Sequence, residues 1–264
     1  MFAWLPNLVA NLTLDSWAGK ALGGIVAAAA GAIFLWLWRK SSRYVYGTEE
    51  YQARIEAQIV ADAAAKQDNE VVFSRDVGDT QLKLFSGDIT RSSASVIVSS
   101  DDTLLSATGG VAKAIIGAAG SSVKRRLRAI SSYNIQRGMV AITDGGRTRF
   151  RYILHAVVLT KASDHTEYPS KKEIALLLGR LITIADAMGA DSVALPILAA
   201  GTAAKRLKEE GLATEQDVIR FIIATLVNVL EERRRQLRTV FVVAYSNKYL
   251  TDDFVRDLRE PVAA

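Results

Sequence analysis

Between Gly87 and Gly120 the chain reads GDITRSSASVIVSSDDTLLSATGGVAKAIIGAAG, and these residues restrict the possible folds more than any other stretch. Ser95 to Ser99 (SVIVS) is a short apolar, β-branched run, the pattern of a strand covered on both faces. A loop ending in Gly109-Gly110 opens into Val111-Ala112-Lys113-Ala114-Ile115-Ile116, small and apolar as in a helix packed on a sheet. Glycines just before a helix let a ligand approach the backbone, and the helix start offers unpaired N–H groups and positive dipole to a phosphate. On pattern alone a plain strand–loop–helix joint is the better account of the same residues, because a Gly-Gly helix start is common.

The rest of the chain from Val71 alternates in the same way. Val71 to Ser74 and Gln81 to Phe85 read as strands, followed by helices over Gly110 to Ala119 and Val123 to Ile130. Strands follow at Met139 to Thr143 and Arg151 to Leu159, then a long amphipathic helix from Lys171 to Met188. Ser192 to Leu195 and Thr239 to Ala244 are buried strands. The helix Glu215 to Arg235 lies between them and the helix Asp252 to Arg259 closes the series. Mixed strands with helices on both faces predict a three-layer α/β/α sandwich over residues 70–264.

The chain of 264 residues contains no cysteine and two histidines, His155 and His165, in different elements. Disulfides and thiol chemistry are excluded, and neither a His-rich metal site nor a Ser–His–Asp hydrolase is expected. His155, inside the apolar strand ILHAVV, reads as a satisfied structural residue. The net charge of +5 is carried beside an apolar N-terminal run and on amphipathic helices, including Lys124-Arg125-Arg126-Leu127-Arg128. A solvated helix face is the expectation there, ahead of contact with nucleic acid or anionic lipid, and nucleic acid is not an expected partner.

Residues 1–43 read as a membrane segment. Residues 1–16 are apolar but broken by Pro6, Asn7 and Asn11, which suits an interfacial piece. Ala21 to Trp38 carries no charge, and at 1.5 Å per residue its length of about 27 Å just crosses a hydrocarbon core. Trp17, Trp36 and Trp38 fit interfacial belts, and Arg39, Lys40 and Arg43 against Lys20 place the C-terminal bulk in the cytoplasm. The bulky Trp-Leu-Trp-Arg-Lys ending is wrong for signal-peptide cleavage, while a buried core helix is the competing reading. Gly19, Gly23, Ala27 and Gly31 form a small-residue face that permits close helix–helix contact. Residues 44–69, rich in Ala, Glu, Gln and Lys, read as a helical stalk.

Gly87-Asp88-Ile89-Thr90, the β run, GGVAKAI and then the second loop Leu195-Pro196-Ile197-Leu198-Ala199-Ala200-Gly201-Thr202-Ala203 resemble, in that order, a macro domain, the ADP-ribose-binding α/β module. The middle strands Gly138 to Thr143 and Tyr152 to Val157 fit the same pattern. The resemblance implies a ligand, ADP-ribose or a derivative of it, and no resident cofactor or metal. It places Asp88 and Ile89 at the adenine, with Gly109, Gly110, Val111 and Ala112 facing Ala200, Gly201, Thr202 and Ala203 across the pyrophosphate. Asp102 falls at the distal ribose, and Tyr245 joins the ligand-binding set. Two departures accompany it. The family's VNAAN strand end is Val98-Ser99-Ser100-Asp101-Asp102 here, so Asp102 replaces the Asn tied to hydrolysis. The aromatic residue of the second loop is absent from Ala199-Ala200-Gly201-Thr202-Ala203-Ala204. Both point to binding without catalysis, and no catalytic residue is expected.

An apolar span before a macro domain is similar to the membrane–macro effectors of Thoeris-type antiphage defence. That resemblance implies a single-pass protein of the bacterial inner membrane, oligomeric in the bilayer. It would respond to an ADP-ribose-like nucleotide made by a TIR-domain NAD-processing enzyme. A membrane-tethered ADP-ribosyl hydrolase and a passive reader of ADP-ribosylated partners are the alternatives.

Overall fold

The computed structural model describes residues 70–162, 164–232 and 235–259. The expected membrane segment 1–43, its span 21–38 and the stalk 44–69 lie outside the described residues. Among the described residues no helix is long and apolar enough to cross a membrane.

The elements run in the order β1 (Glu70–Val77), β2 (Thr80–Ser86), β3 (Val96–Asp102), α1 (Gly110–Ala119), α2 (Ser121–Ile130), β4 (Val140–Asp144), β5 (Tyr152–Lys161), β6 (Thr166–Glu167). Next come α3 (Lys171–Ala187), β7 (Ser192–Pro196), α4 (Lys205–Glu209), α5 (Glu215–Glu231), β8 (Thr239–Ala244) and α6 (Asp252–Arg259). The sheet order is β1-β2-β8-β7-β3-β5-β4, with β6 paired to the end of β5. The five inner strands, β2 to β5 in that order, are mutually parallel, and β1 and β4 close the edges antiparallel. This is the mixed α/β sandwich the sequence predicts. Inner strands must be apolar on both faces, which is why VIV, ILHAVV and VFVV are continuous rather than alternating runs.

The pleat divides those runs between two cores. Val96 and Val98 pack with Leu178, Leu181, Ile222 and Leu226 of α3 and α5. Ile97, between them, packs with Ile115, Ala119, Val123 and Leu127 of α1 and α2. The structure differs from the sequence expectation in three places. β3 runs past Ser99 to Asp102, and the short β6 and α4 carry too few residues to show a period. The helix expected over Glu215 to Arg235 is described as ending at Glu231.

Helices α3 and α5 each begin with a reciprocal capping box, Ser170 with Glu173 and Thr214 with Asp217. Partial burial raises the Glu173 carboxyl, but hydrogen bonds from Ser170 and the Arg137 guanidinium outweigh it and hold the group below its usual range. Hydrogen bonds from Thr214 hold Asp217 low as well. A folded value below the unfolded one gives stability that is complete above the unfolded value and is lost as pH falls through the folded value. Glu173→Gln is therefore expected to lower the thermal midpoint at neutral pH, with the difference from the parent shrinking as pH drops through the carboxylate range. Paired melts across that range check it; a constant difference would contradict the assignment.

Candidate functional site

A cleft of 520 Å³ opens where the parallel strands end, between the loop after β3 and the loop after β7. The first loop contributes Asp102, Thr108, Gly109, Gly110 and Val111, and the second contributes Ile197, Ala199, Ala200 and Ala203. Ser100, Asp101, Ala107, Val158, Leu159, Lys161, Thr166, Tyr168 and Pro196 complete its lining.

The first loop is shaped by a register change. Asp101 pairs with Val157 but Asp102 with Leu159, so the strand end is re-aimed at a bulge. Asp102 Oδ1 then accepts hydrogen bonds from the Leu104 amide at 2.9 Å and the Ser106 amide at 3.1 Å. Its Oδ2 accepts from Ser106 Oγ, which lies 2.9 Å from Thr108 Oγ1. Asp102 thus lines the cleft while its carboxylate organises the loop. Removing it is expected to loosen this loop: Asp102→Ala should lower stability by about 1–3 kcal/mol, the scale of losing such acceptors. Hydrogen exchange at Leu104 and Ser106 checks this, and unchanged protection would refute it.

Backbone conformation marks the same two loops. Among the described residues, the non-glycine positions with left-handed φ are Leu105 (48°), Ala107 (52°) and Ala199 (58°), all in the two cleft loops. Alanine and leucine rarely hold that conformation, and such strain clusters at ligand clamps. The helix starts agree. Gly109 caps α1 and Ala200 caps the 3-10 turn Gly201–Ala204, neither with a side-chain hydrogen bond. The capping boxes of α3 and α5 belong to helices that contribute nothing to the cleft lining. α2 also starts on a glycine without a side-chain cap, but it begins where α1 ends, away from α1's start. Two uncapped starts on one cleft present backbone N–H groups that an anion can satisfy.

The predicted residues divide. Asp102, Gly109, Gly110, Val111, Ala200 and Ala203 come together on the cleft, and Gly201 and Thr202 follow directly in the turn. Ala112 and Ile89 are buried in the core, so a ligand can use only their backbones. Asp88 and Tyr245 stand outside the lining, at the ends of the neighbouring strands β2 and β8, where the Gly87 amide meets the Ala244 carbonyl at 2.9 Å. Asp88 Oδ1 caps the following turn through the Thr90 amide (2.9 Å) and hydroxyl (2.8 Å). Tyr245 is 85% exposed.

Sequence reasoning missed Tyr168 and Lys161. The aromatic ring absent from the second loop has a counterpart on the cleft in Tyr168, from the segment before α3, with Lys205 Nζ 5.8 Å from its ring centre. Nothing in the local pattern around Tyr168 signals this, because β6 and its turn are too short to be periodic. His155 is structural as expected. Its Nδ1 lies 3.0 Å from Asp101 Oδ2 and its Nε2 3.0 Å from Thr143 Oγ1, and Ser99 Oγ donates to Asp101 Oδ2 at 2.7 Å. With Nδ1–H donated to the carboxylate, Nε2 accepts from the threonine, a tautomer inferred from the partners. This buried chain ties β3, β5 and β4 together at the strand end from which the first loop departs.

A mixed sheet between helical layers, with two uncapped glycine- and alanine-rich loops around one cleft, defines an α/β protein built to hold an anionic ligand. The Macro domain family model matches residues 98–209. The ADP-ribose glycohydrolase of Archaeoglobus fulgidus is 34% identical over 143 residues, half of this chain and 74% of that protein. An uncharacterized protein of Pyrobaculum aerophilum is 26% identical over 174 residues, 65% of this chain and 88% of that one. The Oceanobacillus iheyensis macrodomain with ADP superposes with a TM-score of 0.59 at 20% identity, covering 73% of this chain and 96% of its own. The Trypanosoma brucei macrodomain in complex with ADP-ribose gives 0.53 at 20% identity, covering 67% and 68%. The chain belongs to the macro-domain family.

Proposed function

We propose that this protein binds an ADP-ribose-like nucleotide in the cleft and acts as a membrane-anchored sensor-effector of bacterial antiphage defence, without hydrolysing its ligand. The observation that carries the binding reading is the pair of uncapped helix starts, at Gly109-Gly110 and Ala200-Gly201, on one cleft. The pyrophosphate takes their amides, the adenine lies toward Asp88 and Tyr245, and the distal ribose lies toward Tyr168. Solved macrodomains holding ADP and ADP-ribose support that ligand class. The reading of binding without turnover is supported by Asp102, which stands where the family's Asn is expected and whose carboxylate accepts hydrogen bonds from Leu104 and Ser106.

The anchor reading rests on the uncharged run 21–38 with its basic flank. In it the domain is cytoplasmic, the nucleotide comes from a TIR-domain NAD-processing enzyme, and ligand binding favours an oligomer that opens the bilayer. A ligand shifts assembly only by binding the assembled state better. A second reading, ADP-ribosyl hydrolase, is favoured by the name of the Archaeoglobus relative.

Calorimetry with ADP-ribose on the purified chain tests the first step. Micromolar or tighter binding is expected, and Asp88→Ala should weaken it by about 1–3 kcal/mol. Incubation with ADP-ribosylated protein should release no ADP-ribose; release that depends on Asp102 would establish the hydrolase instead. Particle size in detergent and dye leakage from liposomes, with and without nucleotide, test the effector step. Binding with neither response would leave a passive reader.

A further inference from the structure

Charge is distributed unevenly over the macro domain. Between Asp102 and Asp164 the sole acid is Asp144, and the same stretch holds ten lysines and arginines. The net charge of the whole chain is +5, so the remainder is net acidic. The fold gathers much of this excess along the β4 edge of the sheet. Helix α2 presents Lys124, Arg125, Arg126 and Arg128 to solvent while burying Val123 and Leu127. Arg126 pairs with Asp144 at the end of β4, which fixes α2 against that edge strand. The β4–β5 hairpin adds exposed Arg147 and Arg151, and its tip is held to the end of α1 by the Arg147 amide on the Ala119 carbonyl at 2.9 Å. Among the described residues Lys124, Arg125, Arg128 and Arg147 have no ion-pair partner.

A second observation separates the possible partners. Two large apolar side chains are exposed on the same stretch, Tyr133 (74%) and Met139 (40%), between the end of α2 and the start of β4. A polyphosphate backbone rewards the cations and gains nothing from these two. An anionic bilayer surface rewards both, since headgroup phosphates attract the cations and the acyl boundary accepts the apolar side chains.

We propose that the face formed by α2, the 131–139 connection, the β4 edge and the β4–β5 hairpin docks on an anionic lipid surface. Lys124, Arg125, Arg128, Arg147 and Arg151 meet the headgroups, and Tyr133 and Met139 enter the interface. Docking would hold the domain against the bilayer rather than merely near it. The inference rests on the reading of residues 21–38 as an anchor only in supplying the bilayer's proximity, and the test separates the two.

Because the chain has no cysteine, single cysteines can carry an environment-sensitive dye in the full-length protein. Tyr133→Cys reports the face, Asp257→Cys an exposed control on α6, and Gly31→Cys the anchor. The protein is combined with phosphatidylcholine vesicles, with or without roughly a third phosphatidylglycerol, containing a lipid-borne quencher. The label at 133 is expected to shift blue and be quenched only with phosphatidylglycerol, and the label at 257 in neither. About 1 M salt, where screening length falls to about 3 Å, should reverse the effect. Arg125→Glu with Arg128→Glu should lower the docked-to-free ratio by more than about tenfold. A label at 133 that stays in water, or is quenched equally in both vesicles, overturns the proposal. So does binding of a DNA duplex that the double reversal abolishes, if no lipid response accompanies it. A label at 31 that stays in water defeats the anchor reading alone, and the comparison at 133 still stands.

Discussion

Gly110→Trp is expected to abolish ADP-ribose binding and leave the domain folded. Gly110 is the first residue of α1, its N-cap Gly109 has φ of −67°, and neither position has left-handed backbone. A Cβ built at Gly110 meets nothing within 4 Å. The glycine is therefore not required by the fold, and its missing side chain leaves open space on the cleft. An indole, with roughly 150–250 Å² of surface to bury, would occupy the place assigned to the pyrophosphate. The expected loss of affinity is at least about 100-fold, equivalent to about 2.7 kcal/mol. The thermal midpoint should move by no more than about 2 °C, since tryptophan costs a helix less than glycine does. Calorimetry and a melt on the same preparation decide it. Unaltered binding in a folded variant would remove the ligand from the start of α1 and with it the proposed site.

Gly146→Val is expected to do the reverse. Gly146 sits in the β4–β5 hairpin with φ of +60°, its amide donating to Asp144 Oδ1 at 3.0 Å. A Cβ there would collide with the Ala119 carbonyl oxygen and crowd Val123, because the hairpin tip packs directly on the end of α1. Left-handed backbone costs a non-glycine residue roughly 1–2 kcal/mol, and forced overpacking adds about 1–3 kcal/mol. The sum, about 2–5 kcal/mol, corresponds to a fall of roughly 4–20 °C in the thermal midpoint of a domain this size. Any surviving folded fraction should bind nucleotide with nearly parental affinity, since the hairpin is not part of the cleft lining. A melt unchanged within about 2 °C would show that the tip can move away from α1 at little cost.

These two glycines show where sequence reading stops. Both stand in Gly-Gly pairs, 109-110 and 145-146, and nothing local distinguishes them. One pair leaves room for a ligand and the other lets backbone approach backbone, a difference set by which element faces each from elsewhere in the chain. Asp102 gives the same lesson. Its alignment with a family position puts it at the distal ribose; it lines the cleft, but its carboxylate turns inward to Leu104 and Ser106. That engagement follows from the bulge against β5, which only strand pairing creates.

By itself the sequence determined the layered α/β architecture, because both-face burial requires unbroken apolar strands and one-face burial requires amphipathic helices. It also determined the two glycine- and alanine-rich loops, through the small residues that close approach demands. Tertiary structure alone decided that Tyr168 and Lys161 share the cleft with those loops. It also decided that Asp101, His155 and Thr143 form one buried chain, and that the cations of α2 and of the β4–β5 hairpin flank one sheet edge. Each of these joins residues from separate elements. Local pattern carries burial and turn chemistry but not the parallel crossovers that set which strand lies beside which, and those crossovers place the side chains together.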